Sequence, residues 1–361
     1  MGDGECILPG QRIRARGAES NRAGRFESAG REAYDDGWDL PEEERLVATE
    51  VRLERPRSAI TYNRSPDLPF DRSINPYRGC EHGCIYCYAR PSHAFLNLSP
   101  GLDFETRLIA RPGIAEVLEA ELRRPAYRVQ PISIGTNTDP YQPLERDHGL
   151  MRQVLGVLSD FRHPVWITTR GTTIERDIDL IAAMAAEGLA SVSISVTTLD
   201  ESLARKMEPR APAPKRRLQM IRRLADAGIP VRIQVSPLIP ALTDHELEAV
   251  MEAGRDAGAK AANTIPLRLP LEVSELFRDW LTATFPDRAA RVMGRVRELH
   301  GGRDYDPEFG KRMTGQGLWA DLIHRRADLA RKRLGLSEGL PRLRCDLFRP
   351  PPKAGDQLSL F

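Results

Sequence analysis

The sequence predicts an α/β protein, a partial (β/α)6 TIM-type barrel of parallel strands. Three observations predict it. From about residue 70 onward, short apolar or β-branched runs alternate with longer segments of helical spacing. Two of those helical segments end in Gly188 and Gly228, immediately before the next run, as a C-terminal cap requires. The chemically unusual residues fall just after the runs, at the end of the strands where parallel α/β proteins build their sites.

The elements follow in order. Ser73–Pro76 opens the series as a first strand, and Pro131–Gly135, Pro164–Thr169, Ala190–Val196, Pro230–Ser236 and Lys260–Pro266 continue it. Helical spacing covers Asp147–Ser159, Ile174–Glu187, Lys215–Ala227 and Asp244–Ala257. Strands interleaved with helices make βαβ units and a parallel sheet. About six units are too few for a closed eight-fold barrel, and a doubly wound open sheet is the alternative architecture. The barrel is expected over residues 46–285, followed by a helical C-terminal extension over 286–348. Residues 1–45 are rich in Gly, Arg, Glu and Asp without sustained period and read as a basic, mostly disordered arm. Residues 349–361 are a Pro-rich linker and a terminal pentapeptide.

Composition narrows the function classes. With 53 basic and 51 acidic residues the chain carries a net charge of +2, so bulk charge gives no drive toward nucleic acid or membrane. No run of about 18 apolar residues exists, and Met1-Gly2-Asp3-Gly4-Glu5-Cys6 lacks the apolar core of a secretory signal. A cytoplasmic protein without membrane partners is expected. Three of the five cysteines, Cys80, Cys84 and Cys87, share one eight-residue window, whereas Cys6 and Cys345 stand alone. Clustered thiols in a reducing compartment are metal ligands or catalysts more often than disulfides.

The window reads Asn75-Pro-Tyr-Arg-Gly-Cys80-Glu-His-Gly-Cys84-Ile-Tyr-Cys87-Tyr88, a C-x₃-C-x₂-C spacing with aromatic Tyr86 before the last cysteine. Three thiolates on so short a loop can hold three corners of a cubic iron–sulfur cluster and leave the fourth iron open for chemistry. A structural zinc site completed by His82 or His93 would want a second ligand pair, which is absent. An electron-transfer ferredoxin would want a fourth cysteine, and only the distant Cys345 offers one.

This spacing and its aromatic resemble the signature of the radical S-adenosylmethionine superfamily. The resemblance implies a [4Fe–4S] cluster on Cys80, Cys84 and Cys87 whose open iron chelates S-adenosylmethionine. It implies reductive cleavage of the sulfonium to a 5′-deoxyadenosyl radical and a reducing partner of the flavodoxin or ferredoxin type.

Over about residues 70–270 the chain further resembles the spore photoproduct lyase-like branch, which repairs a DNA lesion. That likeness implies cofactor contacts at Thr138 and Asp139 in the turn after the second strand, at Arg170 after the third and at Ser195 on the fourth. Arg217, in a segment similar to the one that follows the fourth strand in the branch, joins them. The branch places its hydrogen-donating cysteine where this chain has Thr136, whose O–H bond is too strong to quench a carbon radical. Cys345 would replace that thiol if the C-terminal segment folded over the barrel mouth. Tyr141 and Tyr88 are candidates for hydrogen relay or base stacking, and His93 for the surroundings of the cluster.

The substrate class rests on two features. Lys215-Arg216-Arg217 with Arg222-Arg223, and Arg325-Arg326 with Arg331-Lys332-Arg333, are basic helix faces of the kind solvent also selects. The terminal Gln357-Leu358-Ser359-Leu360-Phe361 resembles the bacterial sliding-clamp-binding pentapeptide. A radical enzyme acting on DNA is therefore expected. The alternatives are the same chemistry on RNA, a peptide or a metabolite, and a non-enzymatic iron–sulfur or zinc module.

Overall fold

All six expected strands form, and they pair in the order of the chain. A computed structural model describes residues 16–18, 20–22, 24–26 and 47–352. Its strands are β1 (Glu50–Leu53), β2 (Ile60–Tyr62), β3 (Arg72–Ile74), β4 (Tyr77–Arg78), β5 (Arg107–Ala110), β6 (Ile132–Ile134), β7 (Val165–Thr169), β8 (Ala190–Ser195), β9 (Val231–Leu238) and β10 (Ala261–Pro266). Among the described residues the larger sheet runs β10-β9-β8-β7-β6-β3-β2. Every neighbour from β3 to β10 pairs in parallel, while β2 closes the edge antiparallel to β3. A doubly wound sheet reverses its strand order at a switch point. Sequential order without reversal is that of a partial barrel.

The helices supply the crossovers. They are α1 (Asp103–Thr106), α2 (Ile114–Leu122), α3 (Glu145–His148), α4 (Leu150–Asp160), α5 (Ile178–Ala186), α6 (Glu201–Met207), α7 (Pro214–Asp226), α8 (Leu247–Asp256), α9 (Glu272–Thr284), α10 (Pro286–Leu299), α11 (Lys311–Thr314) and α12 (Leu318–Leu334). Helix α7 shows the local logic. Pro214 opens its first turn, and Met220, Ile221 and Leu224 form its buried stripe. It stops at Gly228, which adopts φ +78°, as Gly188 after α5 adopts +74°.

Strand periodicity divides the sheet into two faces. Ile132, Ile134, Val165, Ile167, Val192, Ile194, Val231, Ile233 and Val235 are fully buried and pack with Met151, Leu155, Ile181 and Leu224 of the covering helices. The opposite, inner face is polar. Register puts Ser195 of β8, Gln234 of β9 and Asn263 of β10 in one row across it. The Arg232 guanidinium donates to the Ser193 hydroxyl on that same face at 3.1 Å.

A second, three-stranded sheet of order β1-β5-β4 joins β1, which precedes the barrel strands, to β4 and β5 in the connection between β3 and β6. It escapes sequence reading because β4 has only two residues, too few to show a period. The helical run expected from residue 286 begins earlier, at Glu272, and α12 packs on α8 and β10. Most of residues 1–45 and the terminal pentapeptide lie outside the described residues. The described stretch between Arg16 and Phe26 is docked on the barrel.

The described part of the C-terminal segment, up to residue 352, does not cover the mouth. The Arg344 amide donates to the Gly188 carbonyl and the Arg349 amide to the Phe161 carbonyl, both at 3.0 Å. The Phe348 ring stacks near Tyr127, Phe161 and His163. Gly188 and His163 immediately precede β8 and β7, so this segment seals the N-terminal ends of the strands.

Candidate active site

The cysteine loop follows β3 at the C-terminal end of the sheet, and both its backbone and its flanks are pinned. The Cys80 amide donates to the Phe104 carbonyl at 2.9 Å and the Ile85 amide to the Met207 carbonyl at 3.0 Å. Ile85 is buried with Leu203, Met207 and Phe277, an anchor contributing about 1.5–3 kcal/mol. Gln142 clamps the loop start, its amide nitrogen on the Gly79 carbonyl (3.1 Å) and its carbonyl on the Glu81 amide (2.9 Å). Fully buried Arg90 donates from Nε to the Cys84 carbonyl at 3.0 Å. Its Nη1 reaches the Pro100 and Gly101 carbonyls at 3.1 and 2.9 Å. Cys80 and Cys84 are thereby buried and Cys87 half-buried, all three as free thiols.

Two charge networks flank the thiols. In the first, Arg170 Nη1 lies 3.0 Å from Cys84 Sγ, 2.7 Å from the Tyr86 hydroxyl and 2.8 Å from Glu208 Oε1. Glu208 also takes the fully buried Arg217 guanidinium, the Tyr86 hydroxyl and, at 3.0 Å, the Thr197 hydroxyl. Burial alone would push the Glu208 carboxyl up, but Arg217 and Arg170 more than offset it and hold it at about 2. In the second, Asp139 accepts from the Thr169 hydroxyl (2.5 Å) and from the Arg170 (2.9 Å) and Tyr141 (2.9 Å) amides. His82 Nδ1 stands 3.4 Å from Oδ2, the oxygen that also takes the Arg170 amide. Burial opposes ionisation of Asp139, yet His82 and these hydrogen bonds set it at about 2. Arg170 is thus held from both ends, its backbone by Asp139 and its guanidinium by Glu208.

The donor set fits an iron–sulfur cluster. Burial pushes the Cys84 thiol up to about 12 against the pull of Arg170. Cys80 is raised by burial, with Asp139 and the neighbouring thiols adding to it. Such thiols need the positive charge of bound iron to act as thiolate ligands. Among the described residues no three Cys, His, Asp or Glu side chains converge on one point as ligands of a single ion would. A cubic cluster makes no such demand, because each cysteine binds a different iron. The histidines are committed elsewhere. His82 faces Asp139, and His93 Nε2 bonds the Arg107 carbonyl at 2.9 Å with its ring against Phe104.

Of the other expected residues, Ser195 and Arg217 meet at the strand ends. The Ser195 carbonyl takes Arg217 Nη1 at 3.1 Å, and the Ser195 side chain belongs to the inner row with Gln234. The buried Thr138 hydroxyl donates to the Tyr77 carbonyl at 3.1 Å, which spends it on the turn. Tyr88, beside Cys87, donates to the Thr136 carbonyl and lies under the Arg268 guanidinium. Two expectations are corrected. Tyr141 is fully buried and its hydroxyl donates to Asp177 at 3.1 Å, so it packs in the wall and does not face the mouth. Cys345 stands among Arg72, at the start of β3, and Asp346, at the far end of the sheet from the other thiols. Sequence reading missed Gln142 and the partnerships of Glu208. It also missed Gln234 and Asn263, whose buried side-chain oxygens have no protein partner. The alternation in Val231-Arg232-Ile233-Gln234-Val235 was the available signal, because it turns two polar side chains inward.

The comparisons with known proteins bear on the fold and the family. The sequence model of the radical SAM superfamily matches residues 74–254. An uncharacterized protein of Mycobacterium tuberculosis is 37% identical over 258 residues, 71% of this chain and 74% of that protein. One from Methanocaldococcus jannaschii is 26% identical over 173 residues, 48% of this chain and 62% of that protein. Among solved structures, a point mutant of spore photoproduct lyase superposes with a TM-score of 0.58 at 13% identity, covering 80% of this chain and 81% of that one. The lyase complexed with dinucleoside spore photoproduct gives 0.56 at 14% identity over the same shares. No helix among the described residues is long and apolar enough to cross a membrane. On the family match and the sequence relatives, this chain belongs to the radical SAM superfamily and is an enzyme of that class.

Proposed function

We propose that the protein cleaves S-adenosylmethionine reductively at a [4Fe–4S] cluster held by Cys80, Cys84 and Cys87, and that it acts on DNA. The observation that carries the first half is the placement of three free, buried or half-buried thiols on one pinned loop at the C-terminal mouth of the sheet. When bound, the cluster and S-adenosylmethionine supply one-electron cleavage of the sulfonium and a hydrogen-abstracting radical. The chain's own residues then bind, orient and exclude water. Among the described residues Arg170 presents the one guanidinium that touches a cysteine sulfur. Glu208 is shared between Arg170 and Arg217, so positive charge is left over for a carboxylate beside the cluster, to which Arg170 is placed to donate. The inner row of Ser195, Gln234 and Asn263 offers hydroxyl and amide groups to the remainder of the cofactor or to substrate. The electron is expected from a flavodoxin- or ferredoxin-type donor.

Support for DNA comes from the terminal Gln357–Phe361, from the basic face of α7 and from a fold shared with spore photoproduct lyase. Thr136 and the remote Cys345 leave no thiol beyond the cluster trio at the mouth among the described residues, so hydrogen return to a product radical uses another group. The test follows 5′-deoxyadenosine release with reductant in the presence of ultraviolet-irradiated DNA, intact DNA and RNA. Stimulation by irradiated DNA alone, with loss of a thymine photoproduct by mass spectrometry, is expected. Equal release in all three sends the substrate outside DNA. Removal of Gln357–Phe361 is expected to abolish binding to a bacterial sliding clamp while leaving that release unchanged.

A further inference from the structure

Against the cysteine loop runs a short stretch of the N-terminal arm that has no helical or strand structure and yet is buried from Arg16 to Ala18. Arg16 is 7% exposed and Ala18 1%. The Gly17 and Ala18 amides donate to the two oxygens of Glu105, at 2.9 and 2.8 Å. Glu105 is completely buried in α1, and its other partner is Arg90 Nη2. Arg90 in turn holds the Cys84 carbonyl. One continuous chain of charge-assisted hydrogen bonds therefore leads from the arm to a cluster ligand.

A second chain starts at Arg16. Its guanidinium donates to the Glu105 carbonyl at 2.9 Å, to the Val47 carbonyl at 2.8 Å and to the Thr49 hydroxyl at 3.0 Å. That hydroxyl donates to Glu81, the residue after Cys80, at 2.7 Å. The third contact is direct. A Cβ on Gly17 would stand 1.7 Å from the carbonyl oxygen of Gly83, the residue before Cys84. Gly83 itself has φ +65°, and a Cβ there would meet Glu105 Oε2 at 2.5 Å. Two glycines are needed for the arm to lie on the loop. Beyond it, the Leu102 amide bonds the Ser20 carbonyl at 3.1 Å, and Asn21 pairs reciprocally with Asp103 at 2.8 and 3.0 Å.

We infer that residues 16–18, 20 and 21 are a built wall of the cluster site, a strap that fixes the cysteine loop and keeps water and solutes off the buried side of the cluster. The inference rests on the reading of the three cysteines as cluster ligands. Without the strap, the Glu105 carboxylate loses two of its donors and the Gly83 face of the loop opens to solvent. Both effects act on the segment that places Cys80 and Cys84. Gly17 and Arg16 are thus positioning residues, acting through Glu105, Arg90 and Glu81.

The test uses the full chain and two variants, Gly17→Val, which drives a side chain into the Gly83 carbonyl, and Arg16→Gln, which removes the bonds without a clash. Amide hydrogen exchange is measured before reconstitution, and iron release to a chelator afterwards. Exchange of residues 80–90 is expected to quicken about 10-fold or more, with β8 and β9 unchanged. Iron release is expected to quicken by about 10- to 100-fold, the range for residues that support metal ligands. Unchanged exchange in the loop of a folded Arg16→Gln overturns the inference, as does exchange that rises equally in β8. Should Gly17→Val fail to fold, Arg16→Gln decides alone. Should the unaltered chain take up no iron and sulfide, the cluster reading fails, and the exchange result still judges the strap.

Discussion

Replacing Glu208 by Gln keeps the shape of the side chain and removes the charge that two guanidiniums share. Arg217 and Glu208 are each 1% exposed at the side chain, so the pair is sealed from solvent. A carboxyl held at about 2 against an ordinary 4.5 corresponds to about 3 kcal/mol of stability at neutral pH, at about 1.4 kcal/mol per pH unit. An independent route gives a similar size, since removing one member of a buried ion pair costs about 3–5 kcal/mol. E208Q is therefore expected to melt on the order of 5 °C or more below the unaltered protein. The pH dependence fixes the cause. Because the folded carboxyl is depressed, its contribution is complete above pH 4.5 and is lost as pH falls toward 2. The gap between the two proteins should be constant from pH 8 to about 5 and should narrow below that. Near-UV circular dichroism melts of the protein without cofactor measure it. A gap absent at pH 7, or one that stays wide at the lowest pH where both fold, refutes the reasoning.

Other outcomes follow from the same site. Arg170→Gln removes the donor to Cys84 Sγ and is expected to weaken iron retention or S-adenosylmethionine binding by about 10- to 100-fold, measured by chelator competition and equilibrium dialysis. Tyr141→Phe is expected to cost about 1 kcal/mol and to keep its turnover, since Asp177 retains Arg176 and Arg152. Abolished 5′-deoxyadenosine release at an unchanged melting temperature would return Tyr141 to the chemistry. Cys345→Ser is expected to change neither cluster content nor turnover. His93 and His163 are held by burial at about 4 against 6.5. Unfolding lets both protonate, so stability falls as pH drops from 6.5 toward 4, by up to about 3 kcal/mol for each. Denaturant titrations at pH 7 and 5 measure the loss, and a His163→Gln variant should show a shallower pH slope.

The barrel was legible because its signal is local and repeated. Val165–Thr169 and Ala190–Ser195 carry β-branched residues at their buried positions, and Gly188 and Gly228 mark the helix ends. The cysteine loop was legible because three ligands on one turn need close spacing in sequence. What stayed hidden is tertiary. The sequence around Gly17 and Ala18 shows no period, and their placement comes from backbone amides meeting the buried carboxylate of Glu105, which lies 88 residues from Gly17 in the chain. The Arg170–Glu208–Arg217 network joins the ends of β7 and β8 to the loop before α7, and no spacing rule links those positions. Cys345 offered a thiol, but its location depended on whether the chain after α12 turns toward the mouth or the base. Phe348 takes it to the base by packing on Phe161 and His163.

The central claim is that Cys80, Cys84 and Cys87 hold an iron–sulfur cluster that cleaves S-adenosylmethionine. Anaerobic reconstitution with iron and sulfide, followed by S-adenosylmethionine and a strong reductant, tests it in one preparation. The account predicts iron and acid-labile sulfide in equal amounts, 5′-deoxyadenosine by chromatography, and loss of both in Cys84→Ala. Zinc without labile sulfide, or a full cluster that yields no 5′-deoxyadenosine with any nucleic acid, peptide or metabolite supplied, would contradict it.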